Sequence, residues 1–536
     1  MPWIERLAAP GRARRLLVPL LGGLLLALAH PPWRLWPLVF VAWTPLWLAL
    51  ADAARPAAGG ASRRRGRLGD GFLQGWLMGT SGYLLMLHWI LRLPNEEMTI
   101  PGLMIPGLLL LAAHAGLFHG AAAAGAVALS RWSGWPLPLA AAPLFTLVEW
   151  LRGLGVLGFP WGAAGYALAR VPPLLQSSAL VGFWGLVFLI LLVNAFLALG
   201  LRGRRWGVAA ALLAFGALWF HGAHELAAHE PGRIHAGRRP LRLLVAQPDI
   251  GRDIKWRPEK RALVFERAFT HAYAAADRGM EAGGFDLFLW PETALPTLLY
   301  MDPETIERVV TLVDRMRRPL LMGTEEIYED WGTERWQQGA YNSAVAVHPG
   351  GRLSDPYRKV KLVPFSERMP LQKIAPWITG LDFGQSNFFP GAGPVLFPIG
   401  EERVGCLICF ESAFPEVARQ MVREGATVLV NITNDFWFGR SAGPIQHAEM
   451  AVLRAVENRV PVVRCANTGI SFAVDPWGRV SHETGLFTQA DFVAAVGAGS
   501  GSFASRHPDW FLALPAGACA AAIAWGALRA AARRRR

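Results

Sequence analysis

Long apolar stretches dominate both ends of the chain, and short mixed stretches fill the region between them. Seven apolar runs lie before residue 221 and an eighth lies near the C-terminus: Leu16–Ala29, Leu35–Ala51, Gly71–Leu91, Gly102–Leu129, Pro136–Trp150, Ser177–Leu199, Gly207–Phe220 and Trp510–Leu528. As a helix, each is about long enough to cross a hydrocarbon core of roughly 30 Å. The pattern therefore predicts a polytopic α-helical membrane bundle of eight spans.

The first apolar run has two interpretations. It follows the basic segment Met1–Arg15 and ends in Ala27-Leu28-Ala29, which resembles a signal-peptide cleavage site. Because a second apolar run follows at once, we favour a helical hairpin made of the first two spans.

Arginines between the apolar runs indicate one orientation. Basic clusters occur at Met1–Arg15, Arg55–Arg67, Arg131, Arg202–Arg205 and Arg529–Arg536. All of them fall in the cytoplasm if the N-terminus does, as the positive-inside rule requires. The acidic loop Asn95–Glu97 and everything between Phe220 and the eighth span then lie outside.

The region from Leu241 to about Val496 alternates short strands with helices, which is typical of an α/β domain. The predicted strands are Leu241–Gln247, Asp286–Trp290, Leu320–Gly323, Ser343–Val347, Val404–Phe410, Thr427–Thr433 and Val460–Ala466. The predicted helices are Leu263–Arg278, Pro303–Arg317, Ala413–Glu424 and Gln446–Asn458. We therefore expect a seven-span bundle at 1–225, a catalytic domain at 236–500, and an eighth helix with a basic tail at 508–530.

Composition agrees with a membrane protein. Hydrophobic residues make up 53% of the chain and charged residues only 17%, a balance too apolar for an ordinary soluble enzyme. The net charge of +13 lies largely in arginine clusters beside apolar runs, so it does not indicate a nucleic-acid partner.

The cysteines suggest neither a disulfide framework nor a metal site. The chain has four: Cys406, Cys409, Cys465 and Cys519. Cys406 and Cys409 form a C-x-x-C, but positions three apart on a strand point to opposite faces. We therefore disfavour a redox or zinc site and predict no metal and no cofactor.

Three stretches carry candidate chemistry. Glu292 follows an apolar strand, Lys359 precedes a proline-containing loop that ends in Glu367, and Cys409 ends a strand two residues before Glu411. A thiol needs a base to become a nucleophile, and a carboxylate can serve. A lysine and a backbone N–H can stabilise the oxyanion that its attack creates. Taken singly, each residue could also be an ordinary surface or core side chain.

These stretches resemble the Glu-Lys-Cys set of the nitrilase superfamily. Placed between a seventh and an eighth span, the domain is similar to that of the bacterial apolipoprotein N-acyltransferase family. Further matching stretches are Trp256 in Ile-Lys-Trp, Asn434–Gly439, Gln446-His447, Asn467–Ile470, Glu149–Gly153 and Phe159–Trp161. The resemblance implies an α-β-β-α sandwich on the periplasmic side of the bacterial inner membrane.

The resemblance also implies a reaction: an acyl chain moves from a phospholipid to the α-amino group of a diacylglyceryl-cysteine at an apolipoprotein N-terminus. Glu292 would be the base, Cys409 the nucleophile that becomes a thioester, and Lys359 the oxyanion partner. The supporting residues would be Glu367 and Glu411, which orient the amine or hold Lys359. Trp256 and Trp437 would bind substrate along the acyl or head-group path, and packing or membrane anchoring is the alternative role for a tryptophan at such a place.

Three further residues leave alternatives open. Glu149, near the end of a span, is either a functional carboxylate at membrane depth or the ion-pair partner of Arg152. Phe410 and Ser366 stand where the family often has tyrosine and glycine. Phe410 therefore offers only its backbone N–H for a supporting role.

Two other functions compete. One is a membrane-tethered amidase or nitrilase that uses the same three residues on a small soluble substrate. The other is a transporter or structural protein whose outer domain has lost activity, which the intact Glu-Lys-Cys set disfavours.

Overall fold

The computed structural model describes residues 12–53, 61–93, 102–230, 239–327, 339–370, 372, 374–375, 377 and 387–535. The acidic loop Asn95–Glu97 lies outside the described residues. The chain divides into two compact units. The first takes in the described parts of Met1–Leu91, Gly102–His224 and Asp509–Arg536, and the second those of Arg92–Pro101 and Glu225–Pro508.

The first unit is helical. Its helices of ten or more residues are Arg12–Ala29, Thr44–Ala53, Ala61–Met86, Met104–Ser133, Leu137–Arg152, Ser178–Leu201, Trp206–Ala228, whose end from Glu225 onward belongs to the second unit, and Ala513–Arg534. Every predicted apolar run overlaps one of them. Among the described residues, those long and apolar enough to cross a membrane are Met104–Ser133, Ser178–Leu201, Trp206–Ala228 and Trp510–Arg534.

The second unit contains two mixed β-sheets. In chain order the strands β1–β12 are Leu241–Gln247, Leu287–Leu289, Leu320–Ile327, Ala340–Val347, Tyr357–Arg358, Leu396–Ile399, Glu402–Ile408, Val428–Thr433, Val462–Ala466, Phe472–Val474, Val480–Ser481 and Ala490–Val496. In the part of the chain that is described, one sheet has the order β12-β1-β2-β3-β4-β5 and the other β11-β10-β9-β8-β7-β6. Strands β1–β3 are parallel to one another, as are β7–β9.

The two sheets face each other and helices cover their outer sides. Cys465 Sγ on β9 lies 3.5 Å from the carbonyl oxygens of Ala246 and Leu289, at β1 and β2 of the other sheet. The helices Arg261–Glu281 and Pro303–Met316 share a hydrophobic core with the first sheet. The helices Pro415–Arg423 and Ala442–Asn458 pack on the second. This is the predicted α-β-β-α sandwich.

The predicted strands all exist; Leu241–Gln247 has the predicted bounds, and the other six have shifted ends. The strand expected at Val404–Phe410 runs instead from Glu402 to Ile408, so Cys409 lies just beyond it. Sequence reasoning missed β5, β6, β10, β11 and β12. Most of these are only two to four residues long, and β12 is only partly buried. The long apolar runs that sequence detects best belong to parallel strands buried on both faces.

Candidate active site

Cys409 stands at a sharp turn between β7 and a short 3₁₀ segment. That segment, Cys409–Ala413, begins directly after the strand. The cysteine has φ +53°, a left-handed conformation that a non-glycine residue adopts at a cost of about 1–3 kcal/mol. Its side chain is half-buried. Backbone strain of this kind is concentrated at functional sites, and here it falls on the predicted nucleophile.

Glu292 follows β2 and is held through both carboxylate oxygens. Asn342 Nδ2 on β4 donates to Oε1 at 2.8 Å, and the backbone N–H of Asn434 donates to Oε2 at 2.9 Å. The side chain is buried. Each carboxylate oxygen therefore accepts a hydrogen bond from an amide N–H, and these two contacts fix the orientation of the side chain.

Lys359 lies directly after β5 and is fully buried. Its Nζ is 2.8 Å from Glu367 Oε1 and 3.6 Å from Glu292 Oε1. Asn342 Nδ2 also donates to Glu367 Oε1 at 3.2 Å, so one amide links the two carboxylates. The predicted catalytic lysine and both predicted carboxylates therefore meet in one buried cluster.

The charges of this cluster act on the Cys409 thiol. Burial raises the thiol pKa above its usual range, Glu292 raises it further, and Lys359 opposes both. Burial by itself would lower the pKa of Lys359, but the charges of Glu367 and Glu292, together with that of Cys409 whenever it is a thiolate, raise it above its usual value. The lysine therefore stays an ammonium, and the resting cysteine is a thiol that needs a base.

Glu411 links the segment around Lys359 to β7, the strand that leads to Cys409. Its fully buried carboxylate accepts hydrogen bonds from the Tyr357 hydroxyl at 2.9 Å and from the backbone N–H groups of Val360 and Lys361 at 2.7 and 3.2 Å. On the other side, the N–H of Ile408 donates to it at 2.8 Å. Of the two supporting glutamates, Glu367 thus contacts the ammonium and Glu411 holds the backbone beside it.

A second polar group approaches the nucleophile, and sequence reasoning gave it no role. His447 Nε2 lies 2.9 Å from the Cys409 carbonyl oxygen, and Nδ1 lies 2.8 Å from Asp435 Oδ1. Asp435 Oδ2 lies 2.6 Å from Arg464 Nη2. The sequence did offer one signal for this group: Arg464 is a charged residue inside the apolar strand Val462–Ala466, and a buried charge requires a partner.

The atoms Cys409 Sγ, one carboxylate oxygen of Asp435 and one ring nitrogen of His447 lie within 4.8 Å of one another, a spacing that could accommodate a metal ion. The carboxylate, however, already accepts hydrogen bonds from Arg464 and from Thr433. Both ring nitrogens of His447 face protein oxygens. The three side chains are therefore better explained as members of a hydrogen-bonded network than as metal ligands.

The remaining predicted residues have varied surroundings. Trp256 and Trp437 are each 39% exposed, so both keep surface that a ligand could contact. Phe410 is buried and packs edge-on against Phe414 with ring centroids 5.0 Å apart. In the first unit, Glu149 is buried and pairs with Arg152 at 2.7 Å, which is the ion pair that the sequence allowed as an alternative.

Two family models match the chain. One, described as "Carbon-nitrogen hydrolase", matches residues 245–498. The other, described as "Apolipoprotein N-acyltransferase N-terminal domain", matches residues 22–196.

Solved structures that resemble the chain include an amidase from Nesterenkonia sp. AN1 (19% identity, TM-score 0.35, covering 47% of this chain and 92% of that one). Another is a Saccharomyces cerevisiae member of branch 10 of the nitrilase superfamily (20% identity, TM-score 0.36, covering 48% of this chain and 90% of that one).

Curated relatives match over nearly the full length. The protein from Geobacter metallireducens is 34% identical, over 95% of this chain and 94% of its own. Those from Allorhizobium ampelinum (34%, 89% of each chain) and Rhodopseudomonas palustris (32%, 88% of each chain) are similar. All three are named apolipoprotein N-acyltransferase. With this identity over this length, and with a match to the family's own N-terminal domain at residues 22–196, the chain belongs to the apolipoprotein N-acyltransferase family.

Proposed function

We propose that the protein transfers a fatty acyl chain from a phospholipid to the α-amino group of the N-terminal diacylglyceryl-cysteine of apolipoproteins, the final step of lipoprotein maturation. One observation carries the proposal: Lys359 Nζ lies 2.8 Å from Glu367 Oε1 and 3.6 Å from Glu292 Oε1, in one buried cluster with both carboxylates. Family membership supplies the lipid substrates that this chemistry would serve.

In the first half-reaction, the Glu292 carboxylate takes the proton from Cys409 Sγ. The thiolate attacks the carbonyl carbon of a phospholipid ester, and an S–C bond forms. Negative charge collects on the former carbonyl oxygen, where the Lys359 ammonium and the Phe410 N–H stabilise it. The C–O bond to the glycerol then breaks, Glu292 returns its proton to that oxygen, and a lysophospholipid leaves a thioester on Cys409.

In the second half-reaction, the apolipoprotein amine attacks the thioester carbonyl. The same two groups stabilise the second oxyanion, and Glu292 accepts the proton that the nitrogen loses as the N–C bond forms. The S–C bond breaks, the proton passes to the sulfur, and an amide leaves the regenerated thiol. The two products leave in sequence, which gives ping-pong kinetics.

The supporting roles follow from the contacts. Glu367 holds the Lys359 ammonium at 2.8 Å, and Glu411 holds the backbone beside it through Val360 and Lys361. Trp256 and Trp437 would line the acyl or head-group path, and both are partly exposed, which leaves surface for a lipid to contact. Glu149 would contact the substrate in addition to forming its ion pair with Arg152.

The membrane arrangement is part of the proposal. Residues 1–225 would form seven spans, 236–500 the periplasmic catalytic domain, and 508–530 the eighth span with a cytoplasmic tail, all in the bacterial inner membrane. Helices long and apolar enough for a span support four of the eight crossings. Single cysteines placed in each loop of a cysteine-free variant and labelled from one side of the membrane would test the remaining crossings. Labelling of the 236–500 region from the cytoplasm would contradict the orientation.

The decisive experiment traps the acyl-enzyme. The purified protein is incubated with a phospholipid of defined chain length and its peptides are analysed by mass spectrometry. Cys409 should gain the mass of one acyl group, and a diacylglyceryl-lipopeptide should then remove it as an amide. The Cys409→Ala protein should gain none. If Cys409 stays unmodified while the protein hydrolyses a small amide, the amidase alternative would replace the proposal.

A further inference from the structure

The peptide group between Cys409 and Phe410 is anchored at its carbonyl oxygen. His447 Nε2 lies 2.9 Å from that oxygen, and Asn431 Nδ2 and Ser412 Oγ donate to it at 3.4 and 3.3 Å. Because a carbonyl can only accept, the ring donates to it through Nε2. In a trans peptide the C=O and the N–H point in opposite directions. Whatever fixes the Cys409 carbonyl therefore also aims the Phe410 N–H.

His447 is itself held by a buried chain of charges. Its Nδ1 lies 2.8 Å from Asp435 Oδ1, and Arg464 Nη2 lies 2.6 Å from Asp435 Oδ2 and 3.2 Å from Nδ1. Burial by itself would raise the pKa of the Asp435 carboxyl, but Arg464 and His447 hold it well below its usual range. Asp435 is therefore a fixed anion that orients the ring.

Arg464 completes the anchor on the strand side. It donates to the Ile470 carbonyl at 3.1 Å and to the Asn431 side chain, whose amide also contacts the Cys409 carbonyl. All four side chains, those of Asn431, Asp435, His447 and Arg464, are at most 1% exposed. The hydrogen-bonded network therefore connects β9 to the turn at Cys409 through side chains that are all buried.

We propose that His447 is a positioning residue that aims and polarises the Cys409–Phe410 peptide, so that the Phe410 N–H can stabilise the oxyanion. The proposal rests on the acyl transfer proposed above. A hydrogen bond to the carbonyl draws electron density from the amide and makes its N–H a stronger donor. The same bond holds Cys409 at φ +53°, a conformation that its surroundings must maintain.

The test compares two reactions of the same sulfur. Acylation of Cys409 by a phospholipid passes through an oxyanion, whereas alkylation by iodoacetamide displaces iodide from a saturated carbon and forms none. Loss of His447 should therefore slow acylation by about 100-fold, the usual effect of removing an oxyanion donor, through kcat with KM little changed. Alkylation, measured across pH so that the thiolate fraction is known, should keep nearly its wild-type rate.

Two substitutions separate the effect of the hydrogen bond made by Nε2 from the effect of the imidazole ring itself. In His447→Gln the side-chain amide can place an N–H near the position of Nε2, whereas in His447→Asn it reaches only the position of Nδ1. Both remove the ring and its capacity for charge. Acylation should therefore be partly retained by the glutamine variant and lost in the asparagine variant. The control is His482→Asn, at an exposed histidine of the same unit, which should behave as the wild type.

The outcomes are distinct. Equal losses of acylation and alkylation in the folded His447 variants would show a general structural role and overturn the proposal, as would wild-type acylation in the asparagine variant. If the asparagine variant does not fold, Asp435→Asn serves instead, because it leaves the ring but loosens its hold; selective loss of acylation supports the proposal and equal loss overturns it. A wild-type protein that never gains an acyl group on Cys409 would contradict the proposed function itself.

Discussion

Lys359 Nζ is 2.8 Å from Glu367 Oε1 but 3.6 Å from Glu292 Oε1, so the buried ammonium is paired more closely with the carboxylate that is not the proposed base. Glu292 is held instead by neutral amide donors, from Asn342 and the backbone of Asn434. A base bound tightly to a cation would accept a proton less readily. This division of partners fits the proposed roles, in which Glu367 positions the lysine and Glu292 transfers the proton.

Glu367→Gln should impair catalysis by loosening Lys359. The amide cannot form the charged contact with Nζ, and displacement of a catalytic group by about 1 Å can cost roughly 100-fold in rate. We expect single-turnover acylation of Cys409 to fall by about that factor. The matched control is Glu416→Gln, which removes the partly exposed pair with Lys361 at 3.1 Å and should have little effect. A Glu367→Gln enzyme with wild-type acylation would contradict the assigned role.

Glu292→Gln and Lys359→Met should shift the reactivity of Cys409 in opposite directions. After burial, Glu292 is the largest cause that raises the thiol pKa, and Lys359 lowers it. Loss of Glu292 should therefore lower the pKa and speed alkylation by iodoacetamide near neutral pH. Loss of Lys359 should raise the pKa and slow it. Both variants should lose acyl transfer.

The measurement is a pH–rate profile for alkylation of the folded variants. Thermal unfolding of each confirms the fold, because Lys359→Met leaves two buried carboxylates without their cation. A midpoint that moves upward in Glu292→Gln, or downward in Lys359→Met, would show that these groups do not control the thiol.

Tyr357→Phe should destabilise the fold around Glu411. The fully buried hydroxyl lies 2.9 Å from both carboxylate oxygens, and phenylalanine fills the same space without a donor. Hydrogen bonds to charged groups contribute about 1.5–3 kcal/mol, so we expect the free energy of unfolding to fall by about that amount. Tyr300→Phe, at a tyrosine that is 39% exposed, is the control. Equal stability of the two variants would show that the hydroxyl adds nothing.

Local patterns in the sequence predicted the α/β domain and marked the candidate residues, and the resemblance to the nitrilase superfamily predicted the sandwich and the Glu-Lys-Cys set. Parallel strands buried on both faces are continuous apolar runs, and Glu292 and Cys409 stand where such runs end. Asn342 and Tyr357 were not predicted as site residues. Their contacts with Glu292 and Glu411 depend on how β4 and β5 pair in space, which no spacing in the chain reveals.

The turn at Cys409 was misplaced for a different reason. An apolar run up to Phe410 predicts strand, but φ +53° at Cys409 ends it at Ile408. That conformation accompanies contacts from His447 and Asn431, residues that lie on other elements of the fold. A strained backbone supported by distant residues leaves no signal in the residues that carry it.

Gly323→Ala should displace Glu292, the proposed base, without unfolding the domain. A Cβ at this position on β3 would lie 2.6 Å from both the Glu292 Cα and the Thr293 nitrogen, far inside normal contact. Since both are backbone atoms, the segment that carries Glu292 must move. We expect acylation to fall by about 100-fold, as for other small misplacements of catalytic groups. Gly393→Ala is the control because nothing lies within 4 Å of its Cβ, and equal activity of the two variants would contradict this reasoning.

Glu149→Gln tests the two interpretations of the buried carboxylate in the helical unit. Arg152 pairs with Glu149 at 2.7 Å, also donates to the Trp161 carbonyl at 3.2 Å, and is almost completely buried. Removing one partner of a buried ion pair usually costs about 3–5 kcal/mol, because the other charge is left uncompensated. If the pair is structural, Glu149→Gln should unfold at a clearly lower temperature in detergent. The double variant Glu149→Gln/Arg152→Gln, which removes both charges, should recover part of the loss. If Glu149→Gln instead keeps its thermal stability but transfers acyl chains slowly to the lipopeptide, the carboxylate belongs to the substrate path and not to the scaffold.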